Sequence, residues 1–276
     1  MDWHLKVSKI VHFSWGNTKL PYLRLITVRS FIRHNPDWKI MLWNTLEKGE
    51  LVTWEKGGAL DYELNCEDYH GELMNLPVEK QVFDMEKYGF SNSISEVHKS
   101  DYLRLFVLWK YGGVWADMDI LFFNPMTSLA VNIPQNNHKT TFLCPSYFGY
   151  SNAFMMGVVG GEIFHELFRL AKKNFDPAKH QCMGLDLFKK WKEELNLRGP
   201  AVADIGMNSV YAHDVYNIGD LFDGSKPKFT KNSIGCHWYA GHESSGKFLF
   251  DTYGGTRNIP NNILGNLIKD YESFTD

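Results

Sequence analysis

Short apolar runs and longer amphipathic stretches take turns along this chain. Ser8-Lys9-Ile10-Val11-His12-Phe13-Ser14-Trp15 reads as a strand that stops at the turn signal Gly16-Asn17. From Pro21 to His34, the positions Leu23, Ile26, Val28, Phe31 and Ile32 fit a helical stripe. Asn35-Pro36 ends it, because the residue before proline is pushed out of the α region. Trp38 to Trp43 is a second strand, and strand, helix, strand in that order is the rhythm of a parallel sheet. Residues 45–93 are polar, carry Gly57-Gly58, and are expected to hold short helices around Tyr62 and Val82. From Ser95 to Tyr111, Val97, Leu103, Leu105, Phe106, Val107 and Trp109 follow helical spacing, with Gly112-Gly113 as the stop. Val114-Trp115-Ala116 is a strand leading into Asp117-Met118-Asp119, and the apolar Ile120 to Phe123 runs on to a turn at Asn124-Pro125. Buried strands are expected at Thr141–Cys144 and Ala153–Val159, and helices at Glu162–Phe175, Met183–Leu195 and Ile259–Tyr271. Residues 199–235 read as irregular. The fold class is α/β, with a mainly parallel sheet flanked by helices and a less regular C-terminal half.

Composition narrows the function. The chain has 276 residues, 44% hydrophobic and 22% charged, which suits a packed globular fold rather than disorder. A net charge of −3 excludes a general polyanion binder, so no nucleic-acid partner is expected. Cys66, Cys144, Cys182 and Cys236 lie far apart with no C-x-x-C pair, which argues against structural zinc and against a disulfide framework. No basic run leads into an apolar core at the start, and no apolar window reaches the length of a spanning helix. The expectation is a soluble cytoplasmic protein. Aromatic residues reach 15%, and such rings serve cores as well as stacking on bases and sugars.

The chemistry concentrates between Ser100 and Asp119. Asp101 and Arg104 are three apart and share a helix face. The glycine pair then turns the chain into a strand whose C-terminal end carries Asp117 and Asp119, at the edge where open parallel sheets bind ligands. Alternation points the two aspartates the same way while Met118 turns to the core. Two convergent carboxylates suit Mg²⁺ or Mn²⁺, hard ions that are often shared with a diphosphate.

The run Ser-Asp-Tyr-Leu-Arg-Leu-x-x-Leu-Trp-Lys-Tyr-Gly-Gly-Val-Trp-Ala-Asp-Met-Asp resembles the sugar-binding region of the DXD-containing glycosyltransferases of family 32. That group includes outer-chain mannosyltransferases, capsular sugar transferases and, more distantly, clostridial glucosylating toxins. The resemblance extends to Lys9-Ile10-Val11-His12-Phe13-x-Trp15 and to Asn35 through Asn44, is thin over 45–93, and is partial beyond 126. It implies a GT-A-type fold and a nucleotide-sugar donor. It also implies a divalent cation, usually Mn²⁺, and retention at the anomeric carbon. Position by position, it puts His12 and Trp15 in the donor-binding opening strand, with Trp15 stacked on the base. Asp101 and Arg104 would meet the donor sugar beside Trp115. Asp117 would touch ribose or a metal-bound water, and Asp119 would ligate the metal. Asn152, in Asn152-Ala153-Phe154-Met155-Met156, would line the sugar pocket, and Arg198-Gly199-Pro200 would form a turn before the acceptor side. Gly235-Cys236-His237-Trp238 resembles the late His-x-Trp stretch of the family. His237 is the first choice for a further metal ligand and His242 the alternative, since Glu243-Ser244-Ser245-Gly246 departs from the family pattern there.

The resemblance implies one catalytic domain over the whole chain, 1–276. Residues 1–130 would serve the nucleotide sugar and metal, and 131–276 the acceptor, a glycan or other hydroxyl compound. The Phe13-x-Trp15 context favours a UDP-sugar over a GDP-sugar. Two other readings compete. One is a nucleotide-sugar-binding module without turnover. The other is a haloacid-dehalogenase-type phosphatase, whose opening strand-Asp-x-Asp and late acidic pair Asp117-Met118-Asp119 and Asp220-Leu221-Phe222-Asp223 resemble.

Overall fold

The computed structural model describes residues 3, 6–16, 18–50, 66–131, 141–146, 149–195, 202–223, 226–245, 259 and 261–272. Strand β1 (Ile10–Ser14), helix α1 (Tyr22–His34) and β2 (Lys39–Thr45) open the chain, followed by short α2 (His70–Met74) and β3 (Val78–Phe83). Helix α3 (Glu96–Lys110) leads to β4 (Gly113–Ala116) and β5 (Ile120–Phe122). Then come β6 (Thr141–Ser146), β7 (Gly149–Gly157), α4 (Glu162–Asn174), α5 (Leu185–Leu195), β8 (Val202–Asp204), β9 (Gly235–His237) and α6 (Ile263–Glu272). Seven strands form one sheet in the order β3-β2-β1-β4-β7-β6-β8, and β5 pairs with β9 apart from it. The pairs β1–β2, β1–β4, β2–β3 and β6–β8 are parallel, and β7 runs antiparallel to both β4 and β6. The architecture is α/β with a largely parallel central sheet.

Both sheet faces are covered, which is why its strands read as nearly unbroken apolar runs. Successive side chains on a strand point to opposite faces. Val11, Phe13, Ile40, Leu42, Val114, Ala116, Phe142 and Met156 accordingly pack in one core with α1 and α6. Met41, Trp43, Trp115, Leu143 and Met155 pack in the other with α3, α4 and α5. Helix α3 is buried along almost its whole length from His98 to Leu108, and Ser95 caps its start by accepting the His98 N–H. Its end needs glycine. Gly112 and Gly113 have φ of +63° and +87°, and a Cβ on Gly113 would stand 2.4 Å from the Ile10 carbonyl oxygen.

Two expectations are corrected. The residues around Val82 are strand β3, not a helix. They pair in register with β2, and their run of Glu79, Lys80 and Gln81 is tolerated because β3 is the sheet edge. The stretch read as irregular supplies β8, a strand of the central sheet. Tyr62 and Arg198-Gly199-Pro200 lie outside the described residues. All four cysteines are free and buried. Among the described residues, no helix is long and apolar enough to cross a membrane.

His12 belongs to this framework. Its side chain is fully buried in β1, where Nε2–H donates to the Gly112 carbonyl at 2.9 Å and Nδ1 accepts the Trp43 indole N–H at 3.1 Å. Both ring nitrogens are thus taken up by the protein, which departs from the expected donor contact. Burial lowers its pKa to about 4. The unfolded chain therefore binds the extra proton between about pH 6.5 and 4, so His12's contribution is complete above 6.5 and lost as pH falls through that window. We expect denaturant titrations to show a loss of roughly 3 kcal/mol there. His12→Gln, which keeps one donor and one acceptor, should flatten that part of the profile. Gly113→Ala should cost more than about 1 kcal/mol at any pH, read by the same titration.

Candidate functional site

The sheet order reverses direction at β1, whose neighbours β2 and β4 are both parallel to it. The crevice beyond the C-terminal ends of β1 and β4 is therefore a topological switch point, the usual binding place in open α/β sheets. Trp15 leaves β1 there, and Asp117-Met118-Asp119 leaves β4. Met118 packs into the α1-side core, and its carbonyl accepts the Thr27 hydroxyl of α1 at 2.8 Å. The Asp117 N–H donates to Ala153 of β7 at 2.8 Å. On the far side, the Trp238 N–H donates to the Asp119 carbonyl at 3.0 Å and the Ala240 N–H to Asp119 Oδ2 at 2.9 Å. The aspartates are fixed from three directions before any ligand arrives.

Ligand-capable atoms of Asp117, Asp119 and His237 all lie within 4.8 Å of one another. His237 ends β9 opposite Ile120, and its Nε2 stands 3.2 Å from Asp119 Oδ1. Asp119 Oδ1 and His237 Nδ1 are buried and make no hydrogen bond within the protein. Such orphaned buried polar atoms normally have a partner. Two carboxylates and an imidazole suit a divalent cation of the Mn²⁺ or Mg²⁺ kind, so the residues present fit the metal expected from the sequence. His242 is not in this cluster. Its Nδ1 accepts the Ser244 N–H at 3.1 Å.

Next to the carboxylates lies a second network. Arg104 of α3 donates to the Ser100 carbonyl and hydroxyl and to the Asn152 carbonyl at 2.7 Å. It also reaches Asp101 at 3.0 Å and Asp117 at 3.3 Å, with its guanidinium over the Trp115 ring. Asn152 in turn donates to Asp101 Oδ1 at 2.9 Å, and the Trp115 indole N–H donates to Asp117 Oδ1 at 2.7 Å. The structure thus brings Asp101, Arg104, Trp115, Asp117 and Asn152 into one connected group. Asp101 is 2% exposed, its Oδ2 has no partner, and burial outweighs Arg104 to raise its pKa to about 7. Burial also raises Asp117, whereas His237 and Arg24 hold Asp119 well below the usual carboxylate range despite burial. Two carboxylates in one site are driven apart in this way. Gly184 closes over this group, since a Cβ there would meet Asn152 Nδ2 and Asp101 Oδ2 at 2.8 Å.

Three further residues were not visible in the spacing. Arg24 of α1 reaches within 3.9 Å of Asp119 Oδ1. Tyr239 takes a left-handed φ of +48°, which places the next N–H on Asp119 and sets the Tyr239 ring edge-on to His237 at 4.1 Å. Ser100 braces Arg104. Arg24 and Tyr239 carry no local signal because each acts through a partner distant in the chain, whereas Ser100 meets Arg104 one helical turn away. Asp220, from the acidic pair weighed for a phosphatase, pairs instead with Lys228 at 2.6 Å.

A family model described as "Glycosyltransferase sugar-binding region containing DXD motif" matches residues 24–139, the stretch that holds Asp101, Arg104, Asp117 and Asp119. Over these residues the chain is similar to the sugar-binding region of DXD-containing glycosyltransferases. Inositol phosphoceramide mannosyltransferase 1 of Schizosaccharomyces pombe is 29% identical over 152 residues, covering 53% of this chain and 37% of that protein. Inositol phosphoceramide mannosyltransferase 3 of the same yeast is 24% identical over 114 residues, 41% of this chain and 24% of that one. The chain therefore spans well under half the length of these relatives. The solved glycosyltransferase GlyE of Streptococcus pneumoniae TIGR4 aligns at a TM-score of 0.49 and 13% identity, over 98% of this chain and 61% of that chain.

Within the DXD region Arg104 is the shared counter-charge of Asp101 and Asp117. Removing it leaves the buried Asp101 and the partly buried Asp117 without their counter-charge, which costs about 3–5 kcal/mol. Arg104→Met is expected to lower unfolding free energy by about that amount at pH 8. Protonation removes the unpaired charge, so the deficit should shrink as pH falls through 7 toward 5. Urea titrations at several pH values read both effects.

Proposed function

We propose that this chain is a metal-dependent glycosyltransferase that moves a hexose from a nucleotide-sugar donor to a hydroxyl of a glycan or other acceptor. The observation that carries the reading is the Asp117, Asp119 and His237 triad at the switch-point crevice, its two aspartates lying within the matched DXD region. The printed names of the yeast relatives make mannose a candidate hexose, and an inositol phosphoceramide-like headgroup a candidate acceptor. The Phe13-x-Trp15 context favours a UDP-sugar.

Asp119 and His237, with Asp117 directly or through water, would hold the cation. When bound, a divalent ion neutralises negative charge developing on a departing diphosphate. The chain's own groups do the rest. Trp15 is the platform for the base. Asp101, held by Asn152 and Arg104, faces the sugar hydroxyls, and Trp115 orients Asp117. Burial of these groups excludes water and strengthens each electrostatic contact. The bond from sugar C1 to the diphosphate oxygen breaks, and its electron pair stays on that oxygen. The acceptor hydroxyl forms the new bond to C1 and loses its proton. Among the described residues no side chain stands out as a nucleophile, which is in keeping with front-face attack and retention. Residues 1–130 would carry most of the donor and metal contacts, with Asn152 and His237 added from 131–276, which would otherwise form the acceptor side of the same catalytic domain.

The test is release of nucleoside diphosphate from a panel of UDP- and GDP-sugars, with and without Mn²⁺, alongside thermal shift. We expect one donor to raise the melting temperature only with Mn²⁺ and to be hydrolysed slowly without acceptor. Asp119→Asn should lower turnover by about 10²-fold or more. Stabilisation without turnover would assign a binding module instead. Phosphate release from p-nitrophenyl phosphate, with no nucleotide-sugar response, would overturn the assignment.

A further inference from the structure

Arg24 is the third residue of α1, yet its side chain ends at the metal-ligating carboxylates. Its guanidinium carbon lies over two indole rings, 4.9 Å from the Trp15 centroid and 5.1 Å from that of Trp238. Nη1 stands 3.9 Å from Asp119 Oδ1, and the side chain is 11% exposed. The indoles come from opposite ends of the chain, one leaving β1 and one leaving β9. Arginine suits such a place because its planar, weakly hydrated cation stacks on aromatic faces while its edge keeps N–H donors in the plane.

Holding Asp119 in place does not account for Arg24. The Ala240 N–H already fixes Oδ2, and 3.9 Å is beyond hydrogen-bond reach of Oδ1. Charge counting gives a different answer. Arg104 serves both Asp101 at 3.0 Å and Asp117 at 3.3 Å, and Asp119 has Arg24 at 3.9 Å, so two permanent cations already offset most of the charge of three carboxylates. A divalent cation between the aspartates then leaves a surplus of about one positive charge in a largely buried crevice. That surplus is expensive unless an anion enters with the metal. A diphosphate bridging that metal would lie within a few ångströms of Asp119, and hence beside the guanidinium edge.

We propose that Arg24 is a phosphate-holding residue, clamped by Trp15 and Trp238 so that its N–H edge meets the diphosphate of a nucleoside diphosphate. This rests on the reading of the crevice as a nucleotide-sugar site and adds the group that discriminates a diphosphate from a bare nucleoside. It also links base and phosphate recognition, because the ring proposed to carry the base is the ring that supports the guanidinium. As the C1–O bond breaks, the electron pair moves onto a phosphate oxygen. Arg24 can meet that charge without gaining or losing a proton, since guanidinium stays ionised. The acceptor's proton leaves with the departing diphosphate.

The experiment is isothermal titration of UDP and GDP at saturating Mn²⁺ into wild-type protein and into Arg24→Met, Arg24→Gln and Arg24→Lys, with Mn²⁺ alone titrated in parallel. We expect both neutral variants to bind the preferred nucleoside diphosphate at least 10-fold more weakly and Arg24→Lys to recover part of the loss. Mn²⁺ alone should bind the neutral variants as tightly as wild type or more tightly, because a competing positive charge is gone. Should Arg24→Met not fold, Arg24→Gln decides the point, since it keeps a planar polar group between the indoles. A folded neutral variant with wild-type diphosphate affinity would overturn the role of Arg24 and leave the site reading intact. Wild-type protein that binds neither diphosphate with Mn²⁺ would remove the site reading, and this inference with it.

Discussion

Everything at the crevice is arranged around the cost of bringing like charges together away from water. Asp117 and Asp119 leave one strand two residues apart, and neither faces bulk solvent freely. Left alone, such a pair would take up a proton to escape repulsion and desolvation. The fold resolves the conflict asymmetrically. Asp119 is kept ionised by His237, Arg24 and a backbone N–H, while burial and its neighbour push Asp117 the other way. Asp101 sits nearby with a pKa raised to about 7. A cation arriving between the aspartates would relieve the repulsion directly, which is the physical basis of the proposed metal role.

The scaffold explains how so many charged groups stay in register. Parallel strands β1 and β4 end side by side, and α1 returns across the same edge to hold the Asp117–Phe122 segment. Thr27 bonds to Met118, and Ser30 accepts the Phe122 N–H at 3.0 Å. On the other face α3 lays Asp101 and Arg104 against β4 and β7. Two hydrophobic layers enclose the sheet, so a side chain at the crevice is positioned by packing rather than by loop conformation. The left-handed Tyr239 is the exception, a strained residue exactly one step before the N–H that orients Asp119.

Much of this was legible in the chain because the decisive signals are local. The stripe from Leu23 to Ile32, the Ser95 start and glycine stop of α3, and the strand leading into Asp117-Met118-Asp119 are periodic patterns with punctuation. They correspond to α1, α3 and β4 within a residue or two. Strand β3 was misread because an edge strand with one buried side chain need not alternate, and pairing with β2 decides its state. At the site, the pair three apart and the pair two apart carry their own geometry. His12 shows the limit of such reading. It stands inside a recognisable motif, but burial against Gly112 and Trp43 takes up both nitrogens. Arg24 shows the converse, a polar position beside an apolar helical stripe that only the fold carries to Asp119.

The most direct test is a crystal structure of the protein grown with Mn²⁺ and a nucleoside diphosphate, with anomalous differences collected at the manganese edge. The account predicts one strong peak within coordination distance of Asp119 and His237, beside Asp117, with phosphate density on its open side. A peak elsewhere, with residues 117, 119 and 237 unliganded, would contradict it.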